Sequence, residues 1–147
     1  MEFLSGNFLI ETFVPNDELI VSRTDLKGNI TYANETFADI SGYSIDELIG
    51  KPHNIVRHPD MPKSVFKELW EDLQIKGFWS GFVKNIRKDE GYYWVYAEVS
   101  TVLKDGKVVE YKSIRTPVSF ENKKKYQLLY DEIRQKDSDK KRKVIYE

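Results

Sequence analysis

The sequence contains no cysteine among its 147 residues. This absence excludes disulfide bonds, cysteine-ligated zinc, iron–sulfur clusters and thiol nucleophiles. Histidine is almost as scarce, because only His53 and His58 occur. A histidine-rich metal site is therefore poorly supported, and we expect no metal centre.

The chain also lacks a charge imbalance and a long hydrophobic run. Its formal net charge is −1, which gives no broad attraction for nucleic acid or for an anionic membrane. No apolar stretch approaches the ~20 residues that span a bilayer. The N-terminus has neither the basic region nor the apolar region of a secretory signal. We therefore expect a cytoplasmic protein without nucleic-acid binding or membrane insertion.

Aromatic residues, in contrast, are plentiful. They make up 14% of the chain, whose length fits one domain with a modest core. A planar aromatic ligand is one explanation for this excess, and ordinary core packing is the other.

The first half of the chain reads as a hairpin followed by short helices. Two β-rich runs, 19–24 and 30–33, flank a turn that contains Gly and Asn. Asn34 can cap a short helix, and Ser44 with Glu47 forms a capping box for another.

One longer helix and three further strands follow. Apolar residues at helical spacing predict an amphipathic helix from Pro62 to about residue 76. The β-rich runs that come after it are separated by turn signals and span 78–87, 92–103 and 108–117. This order predicts an α+β domain with one antiparallel sheet.

Composition divides the chain into three parts. We interpret 1–18 as an N-terminal cap, 19–119 as the main domain and 120–147 as a charged C-terminal helix or tail. The tail carries a narrow apolar stripe at helical spacing, formed by Tyr126, Leu129 and Ile133 with Tyr130 as a possible fourth member. Either a solvated helix that frays after Lys136 or an output helix that pairs with another helix would produce this pattern.

A proline-rich loop, 51–62, concentrates polar groups before the longer helix. Its prolines restrict the backbone before any ligand arrives. Arg57 offers a planar fork of donors for phosphate or carboxylate, and the helix start adds backbone donors. A surface loop with mutually paired charges is the alternative. The polar candidates in the loop are His53, Asn54, Arg57, His58 and Asp60.

An enzyme is not expected. His58 and Asp60 lie two residues apart and could form a base and its orienting group. No motif singles out a nucleophile for them to activate.

The strand 78–87 places polar and apolar side chains on one face. By the two-residue period of a strand, Trp79, Val83 and Asn85 point the same way, whereas Lys84 points to solvent. An inward amide without partners costs about 1–3 kcal/mol. Either neighbouring backbone or a ring with paired donors and acceptors at its edge, such as isoalloxazine, can satisfy it. Trp70 on the longer helix is either a core residue or the wall of a flat cavity.

These segments resemble a known family. Residues 24–34, with Ser41-Gly42-Tyr43 and Glu47-Leu48-Ile49-Gly50, are similar to the opening of PAS domains. The run 52–62, Pro-His-Asn-Ile-Val-Arg-His-Pro-Asp-Met-Pro, resembles the signature of PAS domains in Aer-type aerotaxis and energy-taxis receptors. Residues 79–85, 93–95 and 113–116 extend the resemblance, which covers about 19–117.

The resemblance implies a PAS fold: a five-stranded antiparallel sheet with short helices and one longer helix on one face. It also implies non-covalent binding of FAD between sheet and helices. The redox state of the flavin would be relayed to a membrane-bound chemoreceptor of the methyl-accepting type. PAS domains often pair through their N-terminal segment, so a homodimer is implied as well.

Site residues follow from the same resemblance. Asn85 would contact the polar edge of the ring, with Trp79 on the same face of the strand. His53 and Trp70 would line the ring pocket, and Asn34 would face it. The signature loop, with Asn54, Arg57, His58 and Asp60, would lie near the pyrophosphate or adenosine.

The sequence departs from the pattern of the family in two respects, and three alternative functions remain open. Light-sensing flavin PAS domains form a photoadduct through a cysteine, which is absent here. Aer-type receptors continue into a membrane segment, whereas this sequence ends at Glu147, so a complete chain would signal through a separate receptor. The rival functions are a cofactor-free docking or dimerisation module, a heme sensor with His53 or His58 as axial ligand, and an enzyme.

Overall fold

The computed structural model of the chain describes residues 9–146, and those after 137 by their backbone alone. Residues 1–8 of the predicted N-terminal cap, together with Glu147, lie outside the described residues. The described part of the cap runs beside the start of a strand: the Thr12 N–H donates to the Tyr92 carbonyl over 2.8 Å. The Tyr92 N–H in turn donates to the Ile10 carbonyl over 3.0 Å.

One sheet forms the centre of the molecule, and its five strands pair antiparallel throughout. The strands are β1 (Ile20–Thr24), β2 (Ile30–Ala33), β3 (Phe78–Ile86), β4 (Tyr92–Lys104) and β5 (Lys107–Thr116). Their order across the sheet is β2-β1-β5-β4-β3, so β3 is an edge strand. Each strand falls on a predicted β-rich run, and the predicted five-stranded antiparallel sheet is confirmed.

The helices begin where capping residues predict them. They are α1 (Glu35–Ser41), α2 (Ile45–Leu48), α3 (Lys63–Ile75) and α4 (Phe120–Tyr146), and a 3₁₀ turn spans His53–Val56. Ser44 and Glu47 form the predicted capping box through bonds of 3.1 and 3.0 Å. The start of α3 differs by one residue: Pro62 has an extended ψ of 142° and therefore caps the helix instead of opening it.

The core fills the space between the sheet and α1 to α3. Phe37, at the centre of α1, is fully buried, as are the strand residues Ile20, Ile30 and Val95. Leu48 closes the core from α2. The core therefore supports the inner face of the sheet at the β1–β5–β4 side, where the candidate site lies.

The C-terminal helix α4 packs on the opposite, outer face of the sheet. Tyr130 is buried, its hydroxyl donates to the Phe82 carbonyl over 2.6 Å, and its ring stacks on Trp94 at 6.3 Å. The rings of Tyr126 and Phe82 stack at 4.3 Å. The prediction of helices on one face is thus incomplete, because the apolar stripe of α4 covers the sheet of its own chain.

One further prediction about this face needs correction. Lys84, which we expected in solvent, is 8% exposed because α4 covers it. Of the two alternatives for the end of α4, the helical backbone extends beyond Lys136, as far as Tyr146. None of the described helices combines the length and apolar character needed to cross a membrane.

Candidate functional site

A cavity of about 300 Å³ lies between α3, the proline-rich loop and the inner face of the sheet. Its walls are largely apolar, and four strands, β1, β3, β4 and β5, contribute to its floor because alternate side chains of each point inward. The apolar lining comes mainly from Phe66, Leu69 and Leu73 of α3 and from Val83, Val95, Ala97 and Val99 of the sheet. Its size is at the lower end of the range for small-molecule sites.

Strand β3 contributes Trp79, Val83 and Asn85 to the cavity, as the two-residue period predicts. Trp79 lies flat over Gly81: a Cβ on Gly81 would come within 2.5 Å of the indole ring. The absence of a side chain at Gly81 therefore allows this orientation. The indole Nε1 donates to Glu68 Oε1 of α3 over 3.2 Å, which fixes the ring between strand and helix.

Asn85 is 4% exposed and faces the cavity beside Tyr93, its partner on β4. Burial raises the pKa of the Tyr93 hydroxyl to about 12, although Arg115 and the neighbouring Asn85 amide both oppose that shift. The backbone of Asn85 also forms a bridge with Arg57 of the loop. The loop is thereby attached to β3 at the residue that offers its amide to the cavity.

The mouth of the cavity combines aromatic and basic side chains. Trp70 is 40% exposed, and its ring meets Tyr111 edge-on at 5.4 Å. The Arg57 guanidinium lies 3.7 Å above the Phe66 ring. Asn54 contributes to the same lining, as do Lys27 and Lys112. An aromatic ligand with an anionic end would find suitable contacts here.

The inner end of the cavity holds a cation that sequence reasoning missed. Arg115 of β5 is 2% exposed, and its Nη1 lies 2.9 Å from His53 Nε2. Its Nη2 donates to Ser22 Oγ over 2.8 Å, and the same hydroxyl lies 3.0 Å from His53 Nε2. The alternation of β5, which places Arg115 on the face of Tyr111 and Ser113, was the available signal.

Burial and charge control protonation at this inner end. Burial, reinforced by the charge of Arg115, lowers the pKa of His53 to about 3. Burial also lowers the pKa of Arg115 to about 10, which still leaves the guanidinium charged at neutral pH. His53 is consequently neutral and Arg115 cationic.

The cavity as a whole carries positive charge. Its described lining includes Lys27, Arg57, Lys112 and Arg115 but neither aspartate nor glutamate. Since the chain has nearly equal numbers of acids and bases, this one-sided lining is a local property of the cavity. It favours a ligand with negative charge.

The second half of the signature loop lies outside the cavity. Asp60 Oδ2 pairs with Lys84 Nζ at 2.7 Å, on the side covered by α4, and Asp60 Oδ1 lies 3.4 Å from Arg134 of that helix. His58 is buried next to Tyr92, with its Nδ1 accepting the Asp60 N–H over 2.9 Å. The structure therefore does not place these two residues with Arg57, because the loop passes around the edge strand.

Asn34 also does not line the cavity. Its Oδ1 accepts from the Phe37 N–H over 3.0 Å and from the Val21 N–H over 3.1 Å, and its Nδ2 donates to the Leu19 carbonyl over 2.8 Å. The amide is used to cap α1 and attach it to β1. Of the predicted site residues, the structure brings together His53, Asn54, Arg57, Trp70, Trp79 and Asn85.

We expect Asp60→Ala to lower the free energy of unfolding by about 1.5–3 kcal/mol. The substitution leaves the mostly buried Lys84 ammonium without its carboxylate, and Gln127 Oε1 at 2.9 Å is a neutral partner. Burial works to raise the pKa of Asp60, but the hydrogen bond and charge of Lys84 outweigh it and hold the pKa below its usual range. Urea unfolding of the ligand-free protein measures the loss.

A double-mutant cycle isolates this interaction. Asp60→Ala with Lys84→Met removes both charges, so the double variant should be more stable than the sum of the single losses predicts. Additive losses would contradict the pairing. Asp137→Ala, which removes an exposed carboxylate from α4, serves as the control and should change stability by less than about 0.5 kcal/mol.

Comparison with known proteins places these features in a family. The profile of the PAS fold matches residues 30–115, more than half of the chain. The sequence is 49% identical over 105 residues to the aerotaxis receptor of Escherichia coli K12, which covers 71% of this chain and 21% of the receptor. It is 37% identical over 95 residues to the biofilm dispersion protein BdlA of Pseudomonas aeruginosa, covering 60% of this chain and 22% of that protein.

A solved structure agrees with the fold. The light-state structure of the blue-light photoreceptor Aureochrome1 LOV superposes with a TM-score of 0.65 and 21% identity, covering 79% of this chain and 91% of that one. The chain spans about a fifth of the length of the two curated relatives, 21% and 22%. The residues that the PAS fold profile matches include most of the sheet, from β2 onward, and the signature loop.

Proposed function

This chain belongs to the PAS fold family, and on that premise we propose that it is a non-catalytic redox sensor in taxis signalling. It binds FAD non-covalently in the cavity and relays the redox state of the flavin to a membrane-bound chemoreceptor. The protein acts in the cytoplasm, as a homodimer paired through its N-terminal segment. The 49% identity to the aerotaxis receptor supports the signalling role.

The observation that carries the proposal is the cavity itself. Its aromatic and aliphatic walls suit a flat ring, and the Asn85 amide provides both a donor and an acceptor. Its basic lining suits a ligand with phosphates, which distinguishes FAD from an uncharged aromatic compound. At about 300 Å³ it accommodates the ring, so the pyrophosphate and adenosine would extend through the mouth.

Each cavity residue then has a role toward the ligand. Asn85 would hydrogen-bond the polar edge of the ring, and Trp79 and Trp70, which also line the cavity, would contact its faces. Arg57 and Asn54, at the mouth, would bind the phosphates. The flavin supplies the redox chemistry, and these side chains bind and orient it.

A heme sensor fits the same residues less well. His53 Nε2 lies 2.9 Å from the Arg115 guanidinium, which has only donors and therefore occupies the lone pair that an axial ligand needs. His58 lies outside the cavity lining and uses its Nδ1 to accept the Asp60 N–H.

The relay begins at Asn85. If a bound flavin were reduced, the Asn85 amide would rotate to match the changed hydrogen-bonding pattern at the edge of the ring. Asn85 shares β3 with Lys84, whose ammonium contacts Asp60 and α4 on the outer face. A displacement of β3 at Asn85 would thus alter the surface that the chemoreceptor contacts.

The absorption spectrum of the freshly purified full chain tests the proposal. We expect the bands of oxidised flavin, and acid extraction should release FAD instead of FMN. A colourless protein that does not take up added FAD would overturn the flavin proposal and favour a docking module.

We expect Asn85→Ala to weaken FAD binding by about tenfold to a hundredfold, because the edge of the ring loses its amide partner. Flavin fluorescence during titration of the apoprotein measures the change. Asn122→Ala, which removes the same group from α4 on the outer face, is the matched control. If both variants retain wild-type affinity and redox-dependent binding to the receptor, the role of Asn85 is wrong.

A further inference from the structure

The edge strand β3 is open to a second groove, which lies on the side of the strand that does not pair with β4. This groove, which we call the β3 groove, has a volume of about 460 Å³ and follows residues 79–82 between α3 and α4. The helix residues that line it include Val65 and Glu68 of α3 and Tyr126, Leu129 and Ile133 of α4.

Two contacts show which backbone groups of β3 point away from β4. The Lys84 N–H donates to Met61 Sδ over 3.3 Å. The Phe82 carbonyl accepts from the Tyr130 hydroxyl over 2.6 Å. In an antiparallel strand the N–H and the C=O of one residue point to the same side, and this side alternates along the chain. The backbone of Ser80 therefore faces the β3 groove, as does that of Phe82.

These groups leave a short part of the edge available for pairing. The Ser80 N–H, the Ser80 carbonyl and the Phe82 N–H form no hydrogen bond within the part of the chain that the structure describes, because their direction excludes β4. Farther along the strand, Met61 and Tyr130 occupy the corresponding groups. Proteins usually cover such an edge, since unpaired backbone groups are a template for another strand.

The two walls of the β3 groove differ in chemistry. The wall formed by α4 is mainly apolar, and its Leu129 is 40% exposed. The wall formed by α3 carries the Glu68 carboxylate, whose Oε1 accepts the indole N–H of Trp79 over 3.2 Å. The described lining contains neither lysine nor arginine, so Glu68 supplies its formal charge. An occupant that complements both walls is apolar on one side and basic on the other.

We propose that the β3 groove is a docking site for an extended segment of a partner protein, which adds a further strand to the sheet beside β3. The backbone of the segment pairs with Ser80 and Phe82, and its side chains alternate between the two walls. The segment therefore alternates apolar side chains, which contact α4, with basic side chains, which contact Glu68. The β3 groove is separate from the flavin cavity, although Trp79 borders both.

An alternating lysine–valine peptide of about six residues, which extends over about 20 Å, is the probe for this site. We expect it to bind the full chain in calorimetry and to slow hydrogen exchange at the Ser80 and Phe82 amides, measured by NMR. A peptide with the same residues in separate lysine and valine blocks should bind about tenfold more weakly or less. N-methylation of the alternating peptide at the paired positions should cause a similar loss, because it removes the main-chain donors.

Ser80→Pro tests the role of the edge from the side of the protein. Proline is compatible with an edge strand where its missing N–H faces away from the partner strand, so the pairing with β4 should persist. We expect the affinity for the alternating peptide to fall about tenfold or more, while the far-ultraviolet circular dichroism and the flavin content stay as in wild type.

A pair of substitutions on α3 tests the charge of the wall. Glu68→Gln retains an oxygen that can accept the Trp79 indole N–H, and we expect it to weaken binding of the lysine–valine peptide about threefold to fivefold. Glu71→Gln is the matched control, because Glu71 is exposed, pairs with Lys67 and does not line the β3 groove. It should leave the affinity unchanged.

Several results would overturn the inference. Equal affinity for the alternating and the block peptide would remove the evidence for strand pairing, as would wild-type affinity in Ser80→Pro. Protection of the Ser80 and Phe82 amides before peptide is added would show that the chain itself or a second copy fills the β3 groove. If Ser80→Pro does not fold, the N-methylated peptide decides the same question. A colourless protein that binds the alternating peptide would contradict the flavin proposal and leave this inference standing.

Discussion

Replacing Phe37 by alanine is expected to lower the free energy of unfolding by about 3–5 kcal/mol. Phe37 has no exposed surface, and its removal leaves a cavity at the centre of the core. The same ring stacks on His53 at 5.7 Å and supports the Arg115 guanidinium at 4.3 Å. The substitution should therefore weaken flavin binding as well as the fold. Urea unfolding of the apoprotein and flavin titration measure the two effects separately.

Phe120→Ala provides the matched control for this loss. Phe120 opens α4 and is 79% exposed, so its removal should change stability by less than about 0.5 kcal/mol. Phe37→Leu, which refills most of the volume, should recover a large part of the stability. Equal stability of the Phe37 and Phe120 alanine variants would contradict the position of Phe37 at the centre of the core.

Acidification from pH 6 to pH 4.5 is expected to destabilise the apoprotein by about 3–4 kcal/mol through the two histidines. Burial lowers the pKa of His53 to about 3, assisted by the Arg115 charge. Burial, assisted by Lys84 and opposed by Asp60, lowers the pKa of His58 to about 4. In this range the unfolded chain binds protons that the folded chain does not, so stability falls as pH falls toward the folded pKa values.

The slope of stability against pH identifies the contribution of each histidine. Urea unfolding at intervals of pH gives that slope, which reaches about 1.4 kcal/mol per pH unit for each buried neutral histidine. His58→Gln should remove about half of the slope, whatever its effect on stability at neutral pH. A wild-type protein whose stability is constant between pH 6 and pH 4.5 would contradict the neutral state of both rings in the folded protein.

Local signals in the sequence predicted most of the fold. The capping box at Ser44, the glycine after α1 and the β-rich runs each depend on a few neighbouring residues. Helices and strands of this kind can therefore be predicted without knowledge of distant contacts. Alternation along β3 also placed Trp79, Val83 and Asn85 on one face, and the structure confirms this because a strand has a fixed two-residue period.

The remaining features depend on contacts between distant segments. The local sequence predicts that Lys84 is exposed to solvent. It is buried because α4 covers it, and its contact Gln127 in that helix lies more than 40 residues later in the chain. Arg115 likewise gives no local sign of burial, because its partners Ser22 and His53 lie 93 and 62 residues away. The loop 51–62 has no period, so the sequence could not separate Arg57, in the cavity, from Asp60, beneath α4.

The length of α4 allows a small tilt of the helix on the sheet to move its C-terminal end over a larger distance. The helix has 27 residues and is therefore about 40 Å long. Its first half is seated on the sheet, and beyond Arg134, which reaches Asp60, the backbone continues for about 18 Å to Tyr146. A tilt of about 10° at the seat displaces the far end by about 3 Å. A small change in the orientation of α4 on the sheet would thus produce a much larger displacement at the C-terminal end of the helix.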